Sequence, residues 1–310
     1  MSGTQAVTPT PVQLPKQTPY AGKPGRKRGP EVGKSPLWVR IVLAVICFAW
    51  IVPTIGLAVT SFRTQTDATD SGWWTLFTSP ANFTRLTFEN YGDLFAQADM
   101  DTAFVNTLAI TIPATVIPIL IAAFAAYAFT FMTFPGRDLL LILIVSLLVV
   151  PTQVALVPLL KIFGQLGING TFPAIWIAHI GFGMPLAVYI IRNYMATLPR
   201  EVIESAKIDG ASHFQTFWKL ILPMSTPVLA SFAIFQFLWV WNDLLNALIF
   251  IGPNNNAPLS IALVSLLGQQ GQGWQLLTAG GLFMMLIPIL VFLSLQRYFV
   301  RGMTAGAVKG

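Results

Sequence analysis

The chain has 310 residues, of which 55% are hydrophobic and only 10% charged, with a mean hydropathy of +0.68. A soluble domain carries about 25% charged residues, so this composition excludes one and describes a polytopic membrane protein. The net charge of +6 and pI near 9.6 would suit a nucleic-acid partner, but the basic residues follow membrane topology instead.

Residues 1–36 are rich in Pro, Gly, Thr and Lys/Arg and lack an apolar period, which predicts a disordered basic tail. Lys23, Arg26, Lys27, Arg28 and Lys34 cluster just before the first apolar run, Val39–Val59. That run is longer than the 7–15-residue apolar core of a signal peptide. It reads as a retained anchor opening a membrane domain over residues 37–310. Cys47 falls inside it and reads as a small buried hydrophobe. With one cysteine there is no intrachain disulfide, and with His179 and His213 the only histidines there is no metal-ligand spacing.

Five further apolar stretches each approach the roughly 20 residues a crossing needs: Ala103–Phe129, Leu139–Leu160, Phe172–Ile191, Met224–Ile249 and Ala279–Tyr298. Six spans with the N-terminus inside place both termini in the cytoplasm. Fifteen of the eighteen Lys and Arg residues then lie on the cytoplasmic side, leaving Arg63, Arg85 and Lys161 outside. That partition is what the positive-inside rule requires. The first outer segment, Ser61–Thr102, is acidic, and its Trp73 and Trp74 suit interfacial anchoring.

In the third span, Pro151 and Pro158 flank Gln153. Each proline frees a carbonyl, so Gln153 suits either a water-lined path or a hydrogen bond to a neighbouring helix. His179, in the fourth span, has no acidic partner visible in the sequence and reads as a packing histidine. In the fifth, Trp239-Val240-Trp241-Asn242-Asp243 carries the one acid placed well inside an apolar stretch. Such residues face a bundle interior or a cavity, which assigns Trp241, Asn242 and Asp243 to a translocation path or a subunit interface. Lacking further ionisable groups, they make a poor proton relay.

Between the fourth and fifth spans, Pro199–Pro223 is a polar island with six charged residues. At about 2.5–3.5 kcal/mol per centrally placed charge, it lies outside the bilayer. Pro199 suits a first helical turn, with Glu201 and Glu204 at its positive end. Gly210 breaks this helix, and Ser212 with Gln215 has the form of a capping box opening a second. Phe214, Phe217, Trp218 and Ile221 recur at helical spacing and predict one apolar face, ended by Pro223.

Beyond the elbow, Gly252–Leu277 carries no charge but holds Asn254, Asn255, Asn256, Gln269, Gln270 and Trp274. Amides beside an aromatic ring suit carbohydrate hydroxyls and sugar faces, and equally a flexible polar turn.

Glu204-Ser205-Ala206, Asp209-Gly210-Ala211 and Ile221-Leu222-Pro223 resemble the EAA loop of permease subunits in bacterial ATP-binding-cassette importers, with Ser205 standing where a second alanine is usual. Trp241-Asn242 resembles a motif of sugar permeases. The ending Gln296-Arg297-Tyr298 through Gly310, including Arg301, Thr304, Gly306, Lys309 and Gly310, resembles the tail of the maltose-permease type. Leu86-Thr87-Phe88-Glu89-Asn90-Tyr91, Phe104–Thr107 and Phe134-Pro135-Gly136-Arg137 extend the likeness over roughly Ser61–Gly310.

The resemblance implies an all-α fold with six transmembrane helices, the type I permease fold of these importers. It makes Glu204, Ser205, Ala206, Asp209, Gly210, Ala211, Phe214 and Phe217 the residues that couple to an ATPase, and the tail a second ATPase contact. It points the Gly252–Leu277 loop toward an extracytoplasmic sugar-binding protein. The implied partners are a second permease chain, two ATPase copies and that binding protein, in the cytoplasmic membrane. The chain has no G-x-x-x-x-G-K-[ST] phosphate loop, so ATP and magnesium belong to the partner ATPase and this chain is no enzyme. The alternatives are a permease for a non-sugar or phosphorylated substrate, and a self-sufficient secondary transporter, which would need coupling-ion ligands near the midplane.

Overall fold

A computed structural model describes residues 36–97, 99–267 and 273–305. The basic tail lies outside them. Among the described residues the fold is helical throughout, with no strand. Four uninterrupted helices are long and apolar enough to cross a membrane: α1 (Leu37–Ser61), α4 (Met100–Phe131), α7 (Phe172–Met195) and the Trp274–Arg297 portion of α14 (Trp274–Ala305). Two bent pairs complete six crossings if each pair is one span.

The first bent pair makes up the third span. α5 (Arg137–Ser146) runs through a 3-10 turn, Leu147–Val149, and the chain then turns by 100° into α6 (Thr152–Gln165). Pro151 stands at the corner, where a helix loses its next amide donor. Pro158 sits inside α6 without breaking it. The second pair lies between the elbow and α11 (Thr226–Trp241), with a 71° bend at Ser225. The elbow's last turn, Leu222–Met224, thus continues past Pro223, which was expected to end it. The fifth span also breaks internally at Asn242–Leu244 and resumes as α12 (Leu245–Phe250), with a further short helix, α13 (Leu259–Ser265), before the sixth.

α4 and α7 make the most extensive helix pair. Their contact is lined by small residues: Ala114, Ala122, Ala123 and Ala126 on α4, Ala174, Ala178 and Ala187 on α7, all buried. Small side chains let membrane helices approach closely where lipid gives no hydrophobic drive. One core lies at the elbow end, joining Ala122, Tyr127, Ile191, Ile203, Phe217 and Ile221. A second, around Ile110, Phe163, Ile175, Val240 and Phe250, lies at the other end.

The long apolar side chains of α5 and α6 instead point outward, among them Leu139, Ile142, Leu143, Val154 and Val157. Cys47 is exposed on α1, correcting its expected burial. The reason is that α1 turns most of its apolar surface outward, as a helix facing lipid or another subunit does.

The segment after α1 packs as short helices: α2 (Gln65–Asp70), two 3-10 turns and α3 (Glu89–Gln97). Arg63 is buried there and donates to the Ser71 carbonyl at 2.8 Å, while Arg85 pairs with Asp67 at 2.8 Å. Trp73 closes over Gly56, where a Cβ would stand 2.6 Å from its indole nitrogen, and Trp74 stays exposed.

Candidate functional site in the elbow and the broken fifth span

The elbow opens with α8 (Arg200–Ile208), capped by Pro199 at its start. Its end is a full Schellman closure. The Gly210 amide donates to the Lys207 carbonyl at 3.1 Å and the Ala211 amide to the Ala206 carbonyl at 2.9 Å. Gly210 takes φ +77°, the left-handed geometry that this motif demands and glycine adopts without strain. Two residues on, Ser212 and Gln215 form the reciprocal capping box. The Gln215 amide donates to Ser212 Oγ at 3.3 Å and the Ser212 amide to Gln215 Oε1 at 2.9 Å. Both turns of the elbow are therefore fixed by local bonds.

The second elbow helix departs from the single apolar face expected of it. After α9 (His213–Thr216) the chain makes a π turn over Phe217–Ile221 before α10 (Leu222–Met224). The wider turn rotates the stripe and splits it. Phe214 is 67% exposed while Phe217 is 2% exposed. Trp218 is exposed and Ile221 buried. Phe217, expected to meet an ATPase, is instead held in the chain's own core, stacked on Phe124 at 4.4 Å with Tyr127 edge-on at 5.5 Å. The Tyr127 hydroxyl and His213 Nδ1 share a hydrogen bond of 3.0 Å. Phe124, Tyr127 and His213 are the elbow's supports that the sequence reading missed. The i, i+3, i+7 run of Phe124, Tyr127 and Phe131 on α4 was the available signal.

Glu204, Ser205, Asp209 and Gly210 are exposed, Ala211 is half-buried, and Ala206 is buried as a floor. Between the two helices lies an open groove of about 690 Å³ lined by Ser205, Ala206, Asp209, Gly210, Ala211 and Gln215, among others. Glu204 makes no hydrogen bond or ion pair with the described residues. The elbow thus offers an exposed, shaped face on a two-helix frame whose turns are closed by local bonds.

At the break in the fifth span the side chains separate into inner and outer sets. Trp241 is fully buried, stacked on Phe237 at 5.4 Å, with Nε1 donating to the Met284 carbonyl at 3.1 Å. It is a packing residue, correcting its assignment to a path. Asn242 is exposed and donates back to the Leu238 carbonyl at 2.8 Å. Asp243 turns inward: Oδ1 accepts from Asn246 Nδ2 at 3.2 Å, and Oδ2 stands 3.3 Å from His179 Nε2. This overturns the reading of His179 as lacking an acidic partner, because packing of α7 beside the break supplies one. His179 is fully buried, and its ring meets Trp239 edge-on at 5.1 Å. Gln153 is exposed on the first turn of α6, beyond the Pro151 corner.

At the end of the molecule away from the elbow, the asparagine run is tied down. Asn254 and Asn256 both donate to the Gly170 carbonyl, at 3.2 and 2.9 Å. The Asn255 carbonyl accepts from Asn106 at 2.8 Å, leaving the Asn255 side chain exposed. Trp274 is exposed where α14 begins. Gln269 and Gln270 lie outside the described residues. Arg301 and Thr304 fall within α14, while Gly306, Lys309 and Gly310 lie outside the described residues.

Helices long and apolar enough to cross a membrane, with an exposed charged elbow between two of them, describe an integral membrane protein. Residues 118–305 match the family described as the binding-protein-dependent transport system inner membrane component. The chain is 52% identical over 281 residues to the osmoprotective compounds uptake permease protein GgtD of Synechocystis, covering 89% of this chain and 94% of that one. It is 53% identical over 232 residues to the alpha-glucoside transport system permease protein AglG of Rhizobium meliloti, covering 73% and 61%. A solved bacterial alginate ABC transporter, in complex with its pentasaccharide-bound periplasmic protein, shares the fold. Its TM-score is 0.60 at 15% identity, over 83% of this chain and 92% of that one. The chain belongs to the family of binding-protein-dependent transport inner membrane components. It is a multi-pass permease of the cytoplasmic membrane.

Proposed function

We propose that this chain is one of two permease subunits of an ATP-driven importer of neutral sugars, with both termini cytoplasmic. ATP and magnesium sit on a separate pair of ATPases, and this chain performs no covalent chemistry. The observation that carries the reading is the elbow, a locally locked and exposed two-helix unit whose ends continue directly into α7 and α11.

Glu204, Ser205, Asp209 and Phe214 present the docking face. Ala206, Gly210 and Ala211 shape the turn between the helices. Phe217 transmits movement inward, since it is wedged against Phe124 and Tyr127 of α4. When the ATPases close, the elbow shifts and α7 and α11 tilt with it, exchanging access between the two sides. Gln153, Asn242 and Asp243 stand on or beside the path this opens. At the far end Asn255 and Trp274 meet the binding protein. The relative named for alpha-glucosides supports a sugar as cargo.

The complex purified from native membranes by a tag on this chain tests the reading. It should bring down an ATPase and a second permease. In liposomes with the binding protein it should take up labelled alpha-glucosides in an ATP-dependent manner, and glycine betaine poorly. Uptake of betaine alone would move the cargo out of the sugar class, and uptake driven by an ion gradient without ATPase would overturn the importer reading.

A further inference from the structure

His179 lies sixteen residues before the end of α7 at Met195, about 24 Å of helix. Asp243 lies a similar distance beyond the start of α11 at Thr226. The two helices are joined covalently by the elbow at one end and meet through His179 and Asp243 at the other, 3.3 Å apart. Nearer the His179–Asp243 end than the elbow, Gln236 of α11 fills the space over Gly183 of α7, where a Cβ would stand 2.7 Å from its oxygen. Gln236 also donates to the Ala114 carbonyl of α4 at 3.1 Å.

We infer that His179 is a positioning residue that clasps the broken fifth span to the fourth, so that α7, the elbow and α11 move as one lever. This rests on the elbow being the docking face proposed above. The break needs such a clasp. At Asn242–Leu244 the helix gives up its continuous ladder, so a tilt of α11 would otherwise dissipate there rather than reach α12. The remaining bonds at the break gather on Asp243. Its carbonyl accepts from Ser260 Oγ at 2.8 Å, and Oδ1 accepts from the Asn246 amide and side chain. Only Oδ2 reaches across to another span, and its neighbour there is His179. Asp243 Oδ2 and both ring nitrogens of His179 are buried without a hydrogen-bond partner among the described residues, so the 3.3 Å contact between the two side chains is the polar contact that sets the break against α7.

The lever makes two distinct demands. In the purified complex, His179→Leu should still bring down the ATPase at wild-type stoichiometry, but sugar moved per ATP hydrolysed should fall about tenfold, within the usual range of coupling energies. His179→Leu with Asp243→Asn removes the unpaired charge and should recover thermal stability and yield without recovering that ratio. An unchanged ratio in both variants would overturn the clasp.

In the Cys47→Ser background, a cysteine pair at positions 179 and 243 should form a disulfide with copper phenanthroline in the resting complex. Uptake should continue while the disulfide is intact, because the two helices never part at this point. Arrest of uptake on oxidation, with recovery on reduction, would make the pair a gate that opens. Failure of the disulfide to form would overturn the pairing itself. Loss of the ATPase already from the wild-type complex would instead count against the docking reading.

Discussion

The hydroxyl of Tyr127, buried on α4, shares a 3.0 Å hydrogen bond with Nδ1 of His213, the first residue of the second elbow helix. The bond ties the elbow to a span that is not its covalent neighbour. The elbow therefore rests on three helices: α7 and α11 through the chain, and α4 through Tyr127 and the stack of Phe124 on Phe217. Tyr127→Phe keeps the ring packing and removes the bond, at a cost of about 1 kcal/mol. ATPase affinity for the detergent-purified permease should weaken by about fivefold, measured by titration. An unchanged affinity would reduce the bond to a bystander.

Gly210 gives a cleaner test of backbone geometry. Nothing lies within 4 Å of a Cβ built there, so its requirement comes from the φ of +77° alone. Gly210→Ala should cost about 1–2 kcal/mol through left-handed strain. Gly210→Val should cost more because of its branched Cβ, and Gly210→Asn least because asparagine tolerates this region. Uptake in the three variants should follow the order Asn, Ala, Val. Equal uptake in all three would show that the bend does not set coupling.

This contrast also marks what was legible beforehand. The Schellman turn at Gly210 and the capping box at Ser212 and Gln215 were readable because each is closed by residues within six positions of one another. The π turn at Phe217–Ile221 was not, because it exists to seat Phe217 against Phe124 and Tyr127, some ninety residues away. The same holds for Trp241, whose neighbours Phe104 and Met284 come from α4 and α14. His179 and Asp243 are an intermediate case. Each lies twenty residues from an elbow proline, Pro199 or Pro223, a symmetry left unused by the reading of His179 as having no acidic partner. Pro151 announced a disturbance, but the local sequence does not give the 100° size of the turn made there.

Membrane orientation is checked at Asn255. Its side chain is exposed and only its carbonyl is engaged, so Asn255→Cys should preserve the loop. With Cys47, itself exposed, replaced by serine, an impermeant thiol reagent should label intact cells. The partition of basic residues predicts this outcome. Labelling that appears only after lysis would invert the topology.

The split stripe of the elbow separates docking from folding. Phe214 and Phe217 are three residues apart, both aromatic, and a uniform helix would make them neighbours on one face. In this structure one is exposed and the other buried, 67% and 2% exposed. Phe217→Ala removes a stacked core ring and should destabilise the permease by about 3–5 kcal/mol, a cost typical of such truncations. It should appear as a lower melting temperature and poor yield whether or not an ATPase is present. Phe214→Ala leaves little behind to collapse and should melt within experimental error of wild type. It should nonetheless weaken ATPase binding by about tenfold or more, because an exposed aromatic at the centre of a docking face has the character of a binding hot spot. Melting curves of the isolated permease and pull-down of the ATPase, run on both variants, resolve the two roles. A Phe214→Ala permease that holds its ATPase as tightly as wild type would remove this residue from the docking face and leave Glu204 and Asp209 to carry it.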